Sequence, residues 1–166
     1  MPAMRFRSLF AAGFVASVLT AALPAAAATD AEFLQSALRT EVGQYDLGLI
    51  GQRKAARAAT KGFAMQLAGN ASSAVDRLKK IARARHVDVQ EDAELRAKAQ
   101  YVDLEGRSGA DFDQTLAHDA MIDTNIAIDN FTDEAQHGSD PDLRRFAQAE
   151  LAKLRATLKM SQDLGG

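Results

Sequence analysis

The sequence predicts an all-α fold, a bundle of four long helices with a short extra helix in the crossover between the two pairs. Three observations predict it. After residue 28, apolar residues recur at three- and four-residue spacing through nearly the whole chain, the period of helices that bury one stripe. No segment shows the two-residue alternation of a strand, and β-branched residues are few. The breaks at Gly106, Gly138-Ser139 and Pro141 fall between periodic stretches, where helices end and begin.

Residues 1–28 read as an export signal outside the fold. Arg5 and Arg7 form a basic start, Leu9 to Leu23 is an apolar run, and Pro24-Ala25-Ala26-Ala27-Ala28 supplies the small residues a signal peptidase requires. The run is short for a membrane span, which needs about 20 apolar residues. Cleavage is expected after Ala27 or Ala28, which places the protein in the periplasm or outside the cell. The chain has no cysteine, so neither a lipid anchor on cysteine nor a disulfide is available. Residues 29–166 then form one domain, held by packing alone.

The first helix is expected over about Asp30 to Arg57. Thr29 and Glu32 form a capping box at its start, and Phe33, Ala37, Leu38, Tyr45, Gly48 and Leu49 form its stripe. Thr60 is the expected cap of a second helix, Lys61 to His86, with Phe63, Ala64, Leu67, Ala71, Ala74, Leu78 and Ala82 inward. Val87 to Asp92 lacks periodicity and is a connection. Ala93 to Glu105 reads as a short helix through Leu95, Ala99, Val102 and Leu104. Ser108 caps the next long helix, which presents Phe112, Leu116, Ala120, Ala127, Ile128 and Phe131 and stops at His137. Asp140-Pro141 opens the last, since proline in the first helical turn loses no hydrogen bond. Its stripe is Leu143, Phe146, Ala147, Leu151, Leu154 and Leu158.

Long helices of about 23 to 28 residues span roughly 35–42 Å. Short loops make each pair an antiparallel hairpin. The connection between the pairs, about 20 residues including the short helix, is long enough to run the length of the bundle. That favours a ferritin-like arrangement with one long crossover.

Several stretches resemble one family. They are Thr29-Asp30-Ala31-Glu32-Phe33, Leu47-Gly48, Phe63-Ala64, the run Ser108-Gly109-Ala110-Asp111-Phe112-Asp113, and Phe146-Ala147. Across residues 29 to 160 the chain is similar to DUF4142, an exported bacterial family defined as a domain of unknown function. The resemblance implies a ferritin-like fold and no particular activity. It also implies a Glu in the first helix and a His in each of the other three long helices. At those positions this chain carries Gln44, Ala71, Thr124 and Thr157. All four lie on or beside the apolar stripes, so they form a candidate inter-helix layer that has lost its ligand side chains.

A carboxylate-bridged metal pair in such a bundle needs inward acids from all four helices and a Glu-x-x-His motif from two of them. The sequence has one such run, Glu134 to His137 at the end of the fourth helix, and not the two required. Glu41, Asp123 and Glu150 are the carboxylates near the stripes that could serve as non-standard ligands. His86, His118 and His137 are scattered and read as helix-end or solvent-facing residues. Nothing supports nucleophilic catalysis, because there is no Cys and no Gly-x-Ser-x-Gly. The small residues Gly69 to Ala74 read as a place of close helix approach.

The expected signal holds two of the 20 Lys+Arg and none of the 22 Asp+Glu, leaving 18 against 22, a net charge of −4. That balance argues against nucleic acid as a partner. The densest basic patch, Lys79-Lys80 with Arg83 and Arg85, suits the last turn of a helix. The resulting expectation is a periplasmic, non-enzymatic, metal-free bundle with no cofactor and no membrane span after processing. Its role would be interaction or stress-related, with a protein partner possible. A metal-binding or redox protein using Glu41, Asp123 and Glu150 is the second reading. A small-ligand binder with space beside Ala71 is the third.

Overall fold

A computed structural model describes residues 25–165. They form five helices: α1 (Ala25–Lys54), α2 (Ala58–Ala84), α3 (Leu95–Glu105), α4 (Gly109–His137) and α5 (Pro141–Gly165). No strand occurs among the described residues, and none of their helices is long and apolar enough to cross a membrane. Most of the expected signal peptide, residues 1–24, lies outside the described residues. The expected cleavage sites fall in the first turn of α1.

The pairing of helices follows from the loops. α1 packs along α2, and α4 along α5, while α1 also faces α4 and α2 faces α5. The crossover leaves α2 near the start of α1, where Gln90 N–H donates to Gln35 Oε1 at 2.9 Å. It ends near the α1–α2 turn, where Lys54 Nζ donates to the Leu104 carbonyl at 2.9 Å. The connection therefore runs the whole length of the bundle, and the long helices point up, down, down and up.

Several boundaries and faces differ from expectation. α1 starts upstream of the Thr29–Glu32 box, in an alanine run with high helix propensity. α2 starts at Ala58, so Thr60 is not its cap but a fully buried residue of its first turn. On α1, Leu47 and Ile50 are buried and Tyr45 is exposed. Of the short helix's expected stripe only Leu104 faces in, beside Ala93 and Ala97, while Leu95 is 84% and Val102 71% exposed. Close approach to α1 explains this. A Cβ on Gly43 would lie 2.7 Å from Ala97 Cβ, so only small side chains fit between the two helices. The α1–α2 contact is as tight at Gly48, where a Cβ would lie 2.6 Å from the backbone N of Ala68. Gly69, by contrast, faces open space, so the close approach expected in mid-α2 is made through Ala68, Ala71 and Ala74 instead.

Two polar latches close the ends. α2 has no side-chain cap of its own. The turn just before it is tied to α4 instead, where the fully buried Asp113 accepts from Ala56 N at 2.9 Å and Arg57 N at 2.8 Å. Arg57 Nε also donates to Asp113, and its Nη2 donates to the Leu164 carbonyl at 3.0 Å. This single side chain thus joins three helices. At the other end Asp140 caps α5 through the N–H groups of Asp142 and Leu143, and Arg85 at the end of α2 pairs with it.

Burial pushes the Asp113 carboxyl up, but the two backbone N–H groups and the Arg57 guanidinium outweigh it and hold the carboxyl below its usual range. The latch therefore stabilises the fold at neutral pH, and that contribution is lost as pH falls through the folded-state value. Asp113→Ala removes the charged acceptor of both turn N–H groups, and hydrogen bonds to a charged group contribute about 1.5–3 kcal/mol each. Urea unfolding near neutral pH is expected to show a loss of about 3 kcal/mol with an unchanged slope. A loss below about 0.5 kcal/mol, the size of an ordinary surface substitution, would contradict the latch.

Candidate functional site

The core divides into two apolar clusters along the bundle axis. One gathers Phe33, Leu38, Leu78, Phe131, Phe146 and Leu151. Within it the Phe33 and Phe131 rings meet edge-on, with centroids 5.2 Å apart. The other gathers Leu47, Ile50, Phe63, Leu67, Phe112 and Leu116. On every long helix the break between clusters falls at a polar or small residue. It lies between Leu38 and Leu47 on α1, Leu67 and Ala74 on α2, Ala120 and Ala127 on α4, and beyond Leu154 on α5.

Gln44, Ala71, Thr124 and Thr157 occupy those breaks, and each is at most 4% exposed. Gln44 Nε2 and Thr124 Oγ1 are shut off from solvent without a hydrogen-bond partner. A buried polar atom left unmatched costs about 1–3 kcal/mol, so an apolar pair would pack here more stably. The four residues offer an amide, a methyl and two hydroxyls. Neutral groups of this kind bind a transition metal far more weakly than imidazole or carboxylate.

The three carboxylates near the layer are also buried, but they do not converge. Glu150 pairs with Arg77 from α2 and with Lys153 Nζ at 3.1 Å. The Arg77 guanidinium is in turn seated over the Phe146 ring, 4.7 Å from its centroid. Asp123 points to the crossover, where Arg96 Nη2 approaches to 3.0 Å and Gln100 Nε2 to 3.4 Å. Glu41 feels Glu150 and Lys153 across the bundle. Burial first, and the Glu150 carboxylate second, push Glu41 up to about 8, with Lys153 pulling the other way. Glu41 therefore holds its proton at neutral pH. Among the described residues, no three His, Cys, Asp or Glu side chains are grouped to hold a metal ion.

The remaining candidates lie elsewhere. His86, His118 and His137 are all exposed. His86 ends α2 with φ 55°, and His137 contacts Asp133 Oδ1 at 2.8 Å. The basic patch at the end of α2 is partly neutralised, by Lys79 with Glu91 and by Arg85 with Asp140 and Asp142. The best-defined clefts are lined by residues other than Ala71. Sequence reasoning missed Arg77 and Arg96, which neutralise the buried acids. Arg77 is three residues past the inward Ala74, at the edge of the stripe, and that spacing was its only local signal.

The model of the family described as Domain of unknown function (DUF4142) matches residues 16–164. The chain belongs to DUF4142. Its fold also matches a solved structure, the crystal structure of a DUF305 fragment from Deinococcus radiodurans. The TM-score is 0.74 at 12% identity, covering 82% of this chain and 95% of that one. At that identity the likeness concerns the helical fold alone. Comparison with curated proteins yields no match. For this DUF4142 chain the Ser108-Gly109-x-x-Phe112-Asp113 run has a structural meaning. Gly109 takes φ 62° at the start of α4, Phe112 fills one core cluster, and Asp113 makes the latch to α2.

Proposed function

We propose that this DUF4142 protein is an exported, ferritin-like helical bundle whose inter-helix layer is metal-free. It acts without catalysis, through its surface, in an interaction or stress-related role. Export follows from the basic start, apolar run and alanine-rich end of residues 1–28, with cleavage after Ala27 or Ala28 and residues 29–166 as the working domain.

One observation carries the metal-free reading: the mid-bundle donors are neutral, and of the nearby acids Glu150 and Asp123 already have cationic partners while Glu41 holds its proton. A metal recruited by Glu150 and Asp123 would have to displace Arg77, Lys153 and Arg96. It would have to outcompete three cations already seated on those acids. The alternative, a metal or redox site on Glu41, Asp123 and Glu150, further requires Glu41 to give up its proton and Asp123 to turn from the crossover.

Elemental analysis of the exported protein, purified without an affinity tag, tests the proposal. Iron, manganese, zinc and copper are all expected well below one atom per chain. Stoichiometric iron or manganese would overturn the metal-free reading and favour the carboxylate site.

A further inference from the structure

Near the start of α1 and the end of α4, the two helices part around a cleft of about 260 Å³. Its walls include Glu32, Phe33 and Ser36 of α1 with Asn130, Glu134 and Gly138 at the end of α4. Asp133 and His137 complete the lining and are exposed. Glu134 is the inner acid. It is only 4% exposed, and its Oε1 has no hydrogen-bond partner. Gly138 makes room for it, since a Cβ there would overlap the carboxyl group. Asn130 Nδ2 donates to Ser36 Oγ at 3.0 Å, which joins α1 and α4 at the cleft wall.

The setting is mostly electronegative, although Arg85 pairs with one of its acids, Asp140. The end of α4 carries the negative pole of the helix dipole. Asp30 and Glu32 lie on α1, Asp133 on α4 and Asp140 in the following loop. His137 on α4 shares the lining. Arg144 of α5 is the opposing charge, and its Nη1 donates to the Gly138 carbonyl at 2.8 Å. A buried acceptor among like charges, with a void beside it, is matched by a cation that brings its own N–H donors.

We propose that this cleft binds a small primary ammonium ion, with its N–H groups on the Glu134 carboxylate and its alkyl part against Phe33. A bare metal ion suits the cleft less well. It needs several converging ligands, and no three His, Cys, Asp or Glu side chains are grouped to hold one among the described residues. Burial, with Asp30, Asp140 and Asp133 adding to it, pushes Glu134 up to about 7. An adjoining cation favours the ionised form, so binding at neutral pH releases a proton.

The test is calorimetric titration of the mature protein with butylammonium chloride, with tetramethylammonium, calcium and zinc as controls. Saturable binding is expected at about pH 8.5, weakened at least about tenfold at about pH 5.5. At about pH 7 the heat should vary with the buffer's ionisation heat in the sense of proton release. Glu134→Gln should weaken binding about tenfold or more while the protein stays folded. The exposed rim change Asp133→Asn should weaken it by a smaller factor. Absence of butylammonium binding at about pH 8.5 would overturn the proposal, as would binding unchanged in Glu134→Gln. Equal binding of tetramethylammonium, which has no N–H, or tighter binding of calcium or zinc would also overturn it.

Discussion

With Gln44→Glu, Ala71→His, Thr124→His and Thr157→His combined, the bundle is expected to bind one zinc ion and to melt higher with zinc than without. All four positions are buried where the two core clusters meet. Three imidazoles and a carboxylate are a good zinc set, with Zn–N distances of about 2.0–2.1 Å. Without metal the variant should be less stable than wild type. Ala71→His overpacks a tight helix contact at about 1–3 kcal/mol, and buried imidazoles without partners add to that cost. Zinc at about a thousand times its dissociation constant should return about 4 kcal/mol, because it binds only the folded chain. Thermal unfolding with and without zinc, together with metal stoichiometry, measures this. A variant that folds but shows no zinc-dependent shift would falsify the shared layer. The wild type should show no shift at all.

Raising the pH is expected to weaken the wild-type fold, and Glu41→Gln to remove most of that loss. Glu41 is raised from 4.5 to about 8 in the folded protein. Between those values the folded chain holds a proton that the unfolded chain has released, so stability falls as pH rises across the window. Above it the full penalty of a buried carboxylate beside Glu150 applies. A shift of this size corresponds to an effect on the order of 5 kcal/mol for a fully buried group. Gln copies the shape of the protonated acid and cannot ionise. Urea unfolding at about pH 5 should find the two proteins nearly equal, and at about pH 9 the variant more stable by several kcal/mol. Glu134, raised to about 7 by burial and the neighbouring acids, should leave a smaller slope of the same sign in the variant. A wild type as stable at the higher pH as at the lower would mean that water reaches Glu41 and screens it.

Both experiments probe a layer that the sequence marks but does not explain. The periodic stripes place Gln44, Thr124 and Thr157 inward because a helix face repeats every three to four residues, and these positions keep that register. Which cation neutralises Glu150 is another matter. Arg77 lies 73 residues away in the chain, and no local pattern joins the two. Asp123 is similar, since its stripe position is legible but its turn toward Arg96 and Gln100 depends on where the crossover lies.

The helices and their order were determined by the sequence alone, because apolar period, Pro141 in the first turn of α5 and the breaks at Gly106 and Gly138 act within a few residues. The long crossover followed from chain length. Tertiary structure decided what met across that distance. Thr60 is a good local cap for α2, yet it is buried inside the helix, and Asp113, 56 residues beyond Arg57, ties down the turn before it. Leu95 and Val102 have the hydrophobicity of a core stripe, but the approach of Ala97 to Gly43 leaves no room for large side chains there, so they face outward. Glu134 can be buried because Gly138 lacks a side chain, and the acids around it, Asp30, Asp133 and Asp140, come from two helices and a loop. Local propensity sets where helices form. Steric fit and unmatched charge, which arise only once distant segments meet, set what each face does.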